Sequence, residues 1–502
     1  MPSEYEQLKA RLAEITDLSK VSSVLGWDRQ TKMPPAGAPA RIRQMATLAR
    51  LIHERYTDPE MLNLLEGLDE WSKTLDYDSD EAGLIRLTRR DVTRRRAVPT
   101  DLVAEISKAA GEGYQAWKQA RENDDFEMFR PYLERMLDLK RREAACYPAG
   151  EHIYDALLYD FEPGIPTTEV ARVFDAVKGP QIALIQAIQA SPVTLDNSLL
   201  HQHFDHDTQL KAALEVAQIL GYSLERGRLD LTTHPFATSF SVNDARITTR
   251  VYEDFFNPCY FGTLHETGHA MYELGVAQRF EGLPLARGAW STMHESQSRL
   301  HENLIGRSWA FVQHVFPILQ RHFPQQFGRA TAEDFYRAIN AVQPSLIRVE
   351  ADEVTYNLHI ILRFELEIAL LDGSLAVRDL PDAWNAKMQH YLGQTPPNNA
   401  QGVLQDVHWS SGLLGYFPTY ALGNIVGGQL WAALLRDVPN RDELLAEGNL
   451  APIRAWLVEN VHQHGKKYTA PELLQRITGS AQIDPQPYIT YLQTKFGELY
   501  QL

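Results

Sequence analysis

The chain has few of the features that mark secreted, membrane or nucleic-acid-binding proteins. Its 502 residues include only two cysteines, Cys146 and Cys259, which excludes a disulfide framework and predicts a cytoplasmic location. Acidic residues outnumber basic ones by 65 to 49, and the formal net charge of −16 argues against a nucleic-acid partner. The N-terminal residues lack the apolar segment of a signal peptide, so none is expected.

Long uninterrupted apolar runs are also lacking. The stretch from Trp409 to Leu435 contains no charged residue, but Pro418 and five glycines interrupt it, which favours a buried helix pair over a membrane span. We therefore expect no membrane partner. The composition, with 44% hydrophobic and 23% charged residues, is that of a globular protein large enough to form more than one lobe.

Most of the chain has the apolar periodicity of amphipathic helices. Leu8, Leu12 and Ile15 repeat at helical spacing near the N-terminus, and similar patterns continue to the C-terminus. The period changes clearly only between residues 229 and 253, where Thr, Val, Phe and Ile alternate as in strands. The predicted fold class is therefore mainly α, with one small β-sheet in residues 225–255.

The most informative segment is F-G-T-L-H-E-T-G-H-A-M-Y, residues 261–272. His265 and His269 are four residues apart and so lie on one face of a helix, where two imidazoles can bind one Zn²⁺. Glu266 beside them can take a proton from a water on such an ion. Gly268 is unfavourable inside a helix, and we interpret it as the place where a substrate backbone comes close. The segment predicts a zinc-dependent hydrolase.

A catalytic zinc site of this kind needs a third protein ligand. The metzincin pattern is excluded because Gly275 stands where its third His would be. Glu273 lies one helical turn beyond His269, too far along the axis to bind the same ion. The better candidate is Glu295, in the segment M-H-E-S-Q-S-R-L-H-E-N of residues 293–303. That segment also contains the alternatives that the sequence leaves open: His294, His301 and Glu302.

Two later segments carry residues suited to substrate binding. Arg348, at the start of a predicted helix, offers a planar guanidinium that can hold a carboxylate at two points. The segment from Gly402 to Tyr420 places polar side chains in an apolar frame, and a His or Tyr there can donate a hydrogen bond to an oxyanion. Its candidates are Gln405, Asp406, His408, Tyr416 and Tyr420.

Together these segments resemble the thermostable, Taq-type family of metallocarboxypeptidases, M32. The motifs that carry the resemblance occur in order through nearly the whole chain. They are L-G-W-D-R-Q-T-K-M-P-P (25–35), H-P-F (234–236), D-A-R-I-T (244–248), H-E-T-G-H (265–269), H-E-S-Q (294–297) and G-V-L-Q-D-V-H-W (402–409). Related proteases carry an orienting Asp four residues after the third ligand, where this chain has Arg299. Which group orients the imidazoles therefore stays open.

The resemblance implies a mainly helical, two-lobed metallopeptidase with a deep groove, similar to neurolysin and angiotensin-converting enzyme. The whole chain, 1–502, would be one catalytic unit with mostly N-terminal helices over the groove in residues 1–165. The small sheet (225–255) would lie beside the active site, and residues 256–430 would supply the metal-site and substrate-site helices. The resemblance also implies a homodimer containing zinc, which cobalt can replace, that removes single C-terminal residues from peptides.

The resemblance assigns roles to individual residues as well. His265, His269 and Glu295 would bind the metal, Glu266 would be the catalytic acid/base, and His408 would act near the reaction centre. Arg348 and Tyr420 would hold the terminal carboxylate of the substrate. The other residues expected to contact substrate are His234, Asp244, Arg246, Thr248, Gln405 and Tyr416. The alternatives are a zinc endo-oligopeptidase and a non-enzymatic peptide-binding protein, and the preferred C-terminal residue is not determined by the sequence.

Overall fold

The computed structural model describes residues 2–502, which form 22 α-helices and three β-strands. The N-terminal helices are α1 (Ser3–Thr31), α2 (Ala38–Thr57), α3 (Pro59–Gly67), α4 (Asp69–Ser72), α5 (Asp80–Ala97), α6 (Thr100–Asn123), α7 (Phe126–Ala144), α8 (Ile153–Leu158), α9 (Thr167–Ala190) and α10 (His206–Ile219). The strands follow as β1 (Leu229–Leu231), β2 (Ala237–Ser241) and β3 (Asp244–Thr249).

The remaining helices complete the chain after the strands. They are α11 (Asn257–Gly275), α12 (Ser291–Arg299), α13 (Trp309–His322), α14 (Pro324–Phe327), α15 (Ala332–Ile339), α16 (Tyr356–Asp372), α17 (Leu380–Leu392), α18 (Pro418–Asp437), α19 (Arg441–Glu447), α20 (Ala451–Asn460), α21 (Ala470–Thr478) and α22 (Gln486–Tyr500). The predicted fold class, mainly α with one small sheet, is confirmed.

The chain folds into two compact units, each built from three separate stretches of sequence. The first consists of Met1–Arg96, Asn197–Ile339 and Leu430–Ala481, and the second of Ala97–Asp196, Asn340–Gln429 and Gln482–Leu502. The division after Arg96 falls inside the N-terminal block 1–165, whose helices are thus distributed over both units. No helix within residues 2–502 has the length and apolar character needed to cross a membrane, α18 included.

The small sheet belongs to the first unit and packs on α11. Its strand order is β1-β3-β2, with β1 parallel and β2 antiparallel to β3. Ala245 and Ile247 of β3 are fully buried in one hydrophobic cluster with Ala270 of α11. Burial of this face fixes the register of β3, because a shift by one residue would turn both side chains to the other face.

Helices α11 and α12 come into close contact at Gly268. A Cβ at this position would lie 2.4 Å from the carbonyl oxygen of Gln297 and 2.6 Å from the Cα of Ser298. The interpretation that a substrate backbone approaches Gly268 is therefore wrong, because the backbone that approaches is that of α12. Only glycine permits this contact, which brings Glu295 of α12 close to the histidines of α11.

In the second unit, α16 supports the segment of residues 402–417. Glu367 of this helix is fully buried and accepts hydrogen bonds from Tyr154 Oη (2.6 Å), Trp409 Nε1 (2.9 Å) and the backbone N–H of Gly415 (3.1 Å). Through these three donors, one buried carboxylate ties both α8 and the segment to α16. That segment carries four of the candidate residues, Gln405, Asp406, His408 and Tyr416.

Candidate active site

Two imidazoles of α11 and one carboxylate of α12 converge in the first unit. The Nε2 atoms of His265 and His269 lie 3.8 Å and 3.4 Å from Oε2 of Glu295. One donor atom from each of the three residues lies within 4.8 Å of the other two. Ligands about 2.0–2.1 Å from a tetrahedral ion stand about 3.3 Å apart, so this donor set fits a divalent metal such as zinc with little movement.

The second nitrogen of each imidazole is held from behind. His265 Nδ1 lies 2.8 Å from Glu302 Oε2, and His269 Nδ1 lies 2.6 Å from His294 Nδ1. These contacts turn both Nε2 atoms towards Glu295. Glu302 and His294, which the sequence leaves open as ligands, thus stand behind the donor set, in the position from which a group can orient a metal-binding imidazole. His301 Nδ1 lies 2.8 Å from the carbonyl oxygen of Gln297, and this residue is not part of the donor set.

Arg299 organises the carboxylates around the donor set. Its Nε donates to Oε1 of Glu295 at 2.7 Å and its Nη1 donates to Oε2 of Glu302 at 3.2 Å. The bond to Oε1 leaves Oε2 of Glu295 directed at the histidines. Glu302 lies on a π-helical turn, Leu300–Ile305, that continues α12, and such turns are frequent at functional sites.

Three acidic groups near the donor set, Glu295, Glu302 and Glu266, differ in pKa. Burial opposes ionisation of Glu295, but Arg299 and the histidines hold its pKa well below the ordinary value. Burial also opposes ionisation of Glu302, but the nearby cations, chiefly Arg299, lower its pKa to about 2. Burial raises the pKa of Glu266 to about 7. Glu266 is therefore the carboxyl group best able to exchange a proton near neutral pH.

Glu266 is also the one acidic side chain of the group without a protein donor. It is 6% exposed, and no described residue donates a hydrogen bond to its carboxylate. Glu273, one turn further along α11, instead accepts from His294 Nε2 at 2.8 Å and from the backbone N–H of Gly288 at 2.9 Å. Glu266 is thus available to a water or a substrate, whereas Glu273 is not.

A second polar cluster, in the second unit, surrounds Asp406. Arg348 donates to Oδ1 of Asp406 from Nε (3.0 Å) and Nη2 (2.8 Å), and Arg363 donates to Oδ2 from Nε (2.7 Å). Arg348 also donates to Tyr356 Oη at 3.1 Å. Two buried guanidinium groups share one carboxylate, so the cluster carries an excess positive charge that an anion would neutralise. Arg348 lies on a 3₁₀ turn rather than at the start of the predicted helix, since α16 begins at Tyr356.

His408 and two tyrosines lie beside this cluster. His408 Nε2 is 3.2 Å from Tyr420 Oη, and the Tyr416 and Tyr420 rings pack edge to face. The centre of the Tyr420 ring is 5.0 Å from the Arg348 guanidinium. Burial lowers the pKa of His408 to about 4, so its imidazole is neutral at pH 7.

Gln405 holds the cluster together through backbone contacts. Its Oε1 accepts from the Arg348 backbone N–H at 2.9 Å, and its Nε2 donates to the Leu346 carbonyl at 3.1 Å. The Gln405 amide therefore links the 3₁₀ turn to the segment after residue 402 and fixes where the Arg348 guanidinium lies.

The sheet candidates are in the first unit. Asp244 and Arg246 of β3 form a bidentate pair with distances of 3.0 Å and 2.9 Å. Thr248 is fully buried, and its hydroxyl exchanges hydrogen bonds with the backbone of Phe236 at 2.8 Å and 2.9 Å. His234 is exposed in the loop between β1 and β2. Thr248 thus shapes the strand, whereas the other three present polar groups at partly or fully exposed positions.

The fold and this donor set define a mainly helical metallopeptidase. The family model described as "Carboxypeptidase Taq (M32) metallopeptidase" matches residues 7–496. The chain is 41% identical over 506 residues to "Thermostable carboxypeptidase 1" of Thermus thermophilus, covering 99% of both chains. It is 38% identical over 491 residues to "Carboxypeptidase 1" of Bacillus subtilis, covering 98% and 97%.

Solved structures agree with the family match. The M32 carboxypeptidase of Deinococcus radiodurans R1 superposes with a TM-score of 0.96 at 39% identity and full coverage of both chains. Pyrococcus furiosus carboxypeptidase superposes with a TM-score of 0.95 at 36% identity, covering 99% of both. The chain belongs to the M32 metallocarboxypeptidase family and is a peptide hydrolase that depends on a metal ion. The alternative of a non-enzymatic peptide-binding protein is thereby excluded.

Proposed function

We propose that this enzyme is a zinc carboxypeptidase in which His265, His269 and Glu295 bind the metal ion. The observation that carries the proposal is the convergence of their three donor atoms within 4.8 Å. The occupied Nδ1 atoms of both imidazoles support it, because they leave each Nε2 as the free donor. Cobalt, which accepts the same ligands in tetrahedral geometry, is expected to replace zinc.

Glu266 is the proposed acid/base of the reaction. A divalent ion bound beside it would supply Lewis acidity, which lowers the pKa of water and polarises a peptide carbonyl. Glu266 takes the proton from the attacking water and returns it to the leaving amine. Burial raises the pKa of Glu266, which makes its carboxylate a stronger base for the first transfer.

The proposed site for the terminal carboxylate of the peptide is the cluster around Asp406. Arg348 and Tyr420 hold the carboxylate, and the excess positive charge of Arg348 and Arg363 over Asp406 supports this role. Neutral His408 serves as a hydrogen-bonding group near the reaction centre. Removal of single C-terminal residues follows from recognition of a free carboxylate.

Further residues are proposed to border the substrate. They are His234, Asp244, Arg246 and Thr248 around the sheet, and Gln405 and Tyr416 in the second unit. Thr248 and Gln405 act through the backbone segments that they hold. From the family likeness we also propose a homodimer, and from the low cysteine content a cytoplasmic location.

A pair of matched peptides tests the carboxypeptidase proposal against the alternative of an endo-oligopeptidase. The peptides have the same sequence and differ only in a free or an amidated C-terminus. A carboxypeptidase releases the last residue of the free peptide and processes the amide poorly, because the amide lacks the charge that Arg348 binds. Equal turnover of both, with cleavage at internal bonds, would favour the endo-oligopeptidase. Elemental analysis of the same preparation should give about one zinc per chain.

A further inference from the structure

The two imidazoles of the donor set are held from behind by groups of different kinds. His265 faces a carboxylate directly, Glu302 at 2.8 Å. His269 faces a second imidazole, His294, with 2.6 Å between the two Nδ1 atoms. The outer nitrogen of His294, Nε2, lies 2.8 Å from Oε1 of Glu273. A carboxylate thus stands behind His269 too, but one imidazole further away.

Only one placement of protons satisfies this chain of contacts. A 2.6 Å approach between two nitrogens requires one of them to carry a hydrogen and the other to accept it. His269 must keep Nε2 unprotonated to bind a metal, so its hydrogen is on Nδ1 and is donated to His294 Nδ1. The hydrogen of His294 is then on Nε2 and is donated to Glu273.

Glu273, the last member of this hydrogen-bonded series, is itself held in place by further donors. Its carboxylate also accepts from the backbone N–H of Gly288 at 2.9 Å and from Ser239 Oγ at 2.7 Å. Lys20 of α1 donates to the same Ser239 oxygen at 3.1 Å. All of these groups belong to the first unit, and together they hold a buried carboxylate in place.

The backbone is shaped around the His294 ring. A Cβ on Gly288 would lie 2.7 Å from Cδ2 of His294, so only glycine leaves room for the ring in this position. The ring also packs against Tyr272, with the ring centres 5.2 Å apart. His294 therefore has little freedom to turn, which a group that orients another ring requires.

We propose that His294 is a positioning residue that, together with Glu273, fixes the tautomer and orientation of His269 and thereby sets the affinity of the enzyme for its metal ion. The inference rests on the proposed metal ligands. It assigns a task to the first residue of the H-E-S-Q motif, whose second residue is the proposed ligand Glu295. Groups that orient metal-binding histidines in this way change metal affinity by about 10–100-fold when they are removed.

The test is metal affinity rather than activity. Full-length protein is stripped with a chelator, and its zinc dissociation constant is measured by competition with a chromophoric chelator. His294→Leu, which keeps bulk but neither hydrogen bond, should bind zinc about 10–100-fold more weakly than the wild type. His294→Gln should recover most of this loss, since its carbonyl can accept from His269 and its amide can donate to Glu273.

His462→Leu is the matched control. His462 is a buried histidine that, like His294, packs on Tyr272, but its Nε2 lies 2.9 Å from Gln297 Oε1 and contacts no proposed ligand. Its zinc affinity should equal that of the wild type. The visible absorption of the cobalt-loaded protein should change in His294→Leu and not in His462→Leu, since it reports the geometry of the metal ligands.

The possible results separate the inference from the proposed function. Wild-type affinity in His294→Leu, or equal losses in His294→Leu and His462→Leu, would overturn the role of His294 and leave the metal site standing. A wild-type protein that binds no zinc would overturn the metal site and the inference with it. If His294→Leu does not fold, nitrogen NMR of selectively labelled histidines in the wild type tests the proton placement instead. A hydrogen on Nδ1 of His294 would overturn the proposed hydrogen bonds from His269 to His294 and from His294 to Glu273.

Discussion

Glu367 makes the stability of the second unit depend on pH in a direction opposite to that of most carboxylates. Its side chain is fully buried on α16 and accepts hydrogen bonds from Tyr154, Trp409 and Gly415. Burial nevertheless dominates and raises the pKa of Glu367 from the ordinary 4.5 to about 7, although the three donors act in the other direction. We predict that Glu367→Gln removes this pH dependence.

The magnitude follows from the pKa difference. The folded state keeps the proton of Glu367 at pH values where the unfolded chain has lost it, so the stabilisation is complete below about pH 4.5 and is lost as the pH rises through about 7. At about 1.36 kcal/mol per pKa unit, the loss is about 3 kcal/mol. If all 502 residues unfold together, with an unfolding entropy of about 1 kcal/mol/K, Tm changes by about 3 °C.

The assay compares thermal unfolding of wild type and Glu367→Gln between pH 4.5 and 8. The quantity of interest is the Tm of the wild type minus that of the variant at each pH, because other titrating groups and metal binding then cancel. The variant is less stable at low pH, because the N–H group of its amide faces the backbone N–H of Gly415 and two donors cannot form a hydrogen bond. The difference should shrink by about 3 °C towards pH 8. Parallel curves would refute the reasoning and show that Glu367 is ionised throughout.

Three further predictions concern the active site. Glu266→Gln should retain its metal by elemental analysis but lower kcat by about 10³-fold, because an amide cannot accept the proton; near-normal activity would contradict the mechanism. Arg348→Ala should raise KM for peptides with a free C-terminus by about 10–100-fold, with Arg348→Lys intermediate, whereas an unchanged KM would place the carboxylate elsewhere. Gly268→Ala should lower the unfolding free energy by about 3 kcal/mol through its contact with α12. The control Gly111→Ala, where a Cβ meets nothing within 4 Å, should be neutral or stabilising, and equal effects would contradict the packing argument.

The parts of the fold and site that the sequence predicts are those that depend on local spacing. The pair His265 and His269 needs only the pitch of one helix, and the sheet needs only its alternating pattern and a turn. Convergence of Glu295 on the pair could be expected because a catalytic zinc site needs a third ligand. These expectations require no knowledge of how distant segments meet.

The parts that the sequence cannot predict depend on tertiary contacts. Gly268 signals a close approach, but the pattern cannot tell whether a substrate or α12 approaches. Arg363 and Asp406 are 43 residues apart, and no spacing rule joins them. The sequence identifies Glu302 and His294 as residues whose side chains can bind a metal or an imidazole. Their positions behind His265 and His269, however, follow only from the packing of α12 on α11.

Four glutamates of one small region carry the same carboxyl group, but their different surroundings give them different protonation behaviour. Glu295 and Glu302 share the guanidinium of Arg299, and Glu273 is held by His294, Gly288 and Ser239. Each of these carboxylates is kept ionised and in place by its donors. Glu266 is equally buried but has no such donor among residues 2–502, so its pKa alone rises towards neutrality. Burial without such a donor therefore leaves Glu266 as the group able to accept and release a proton.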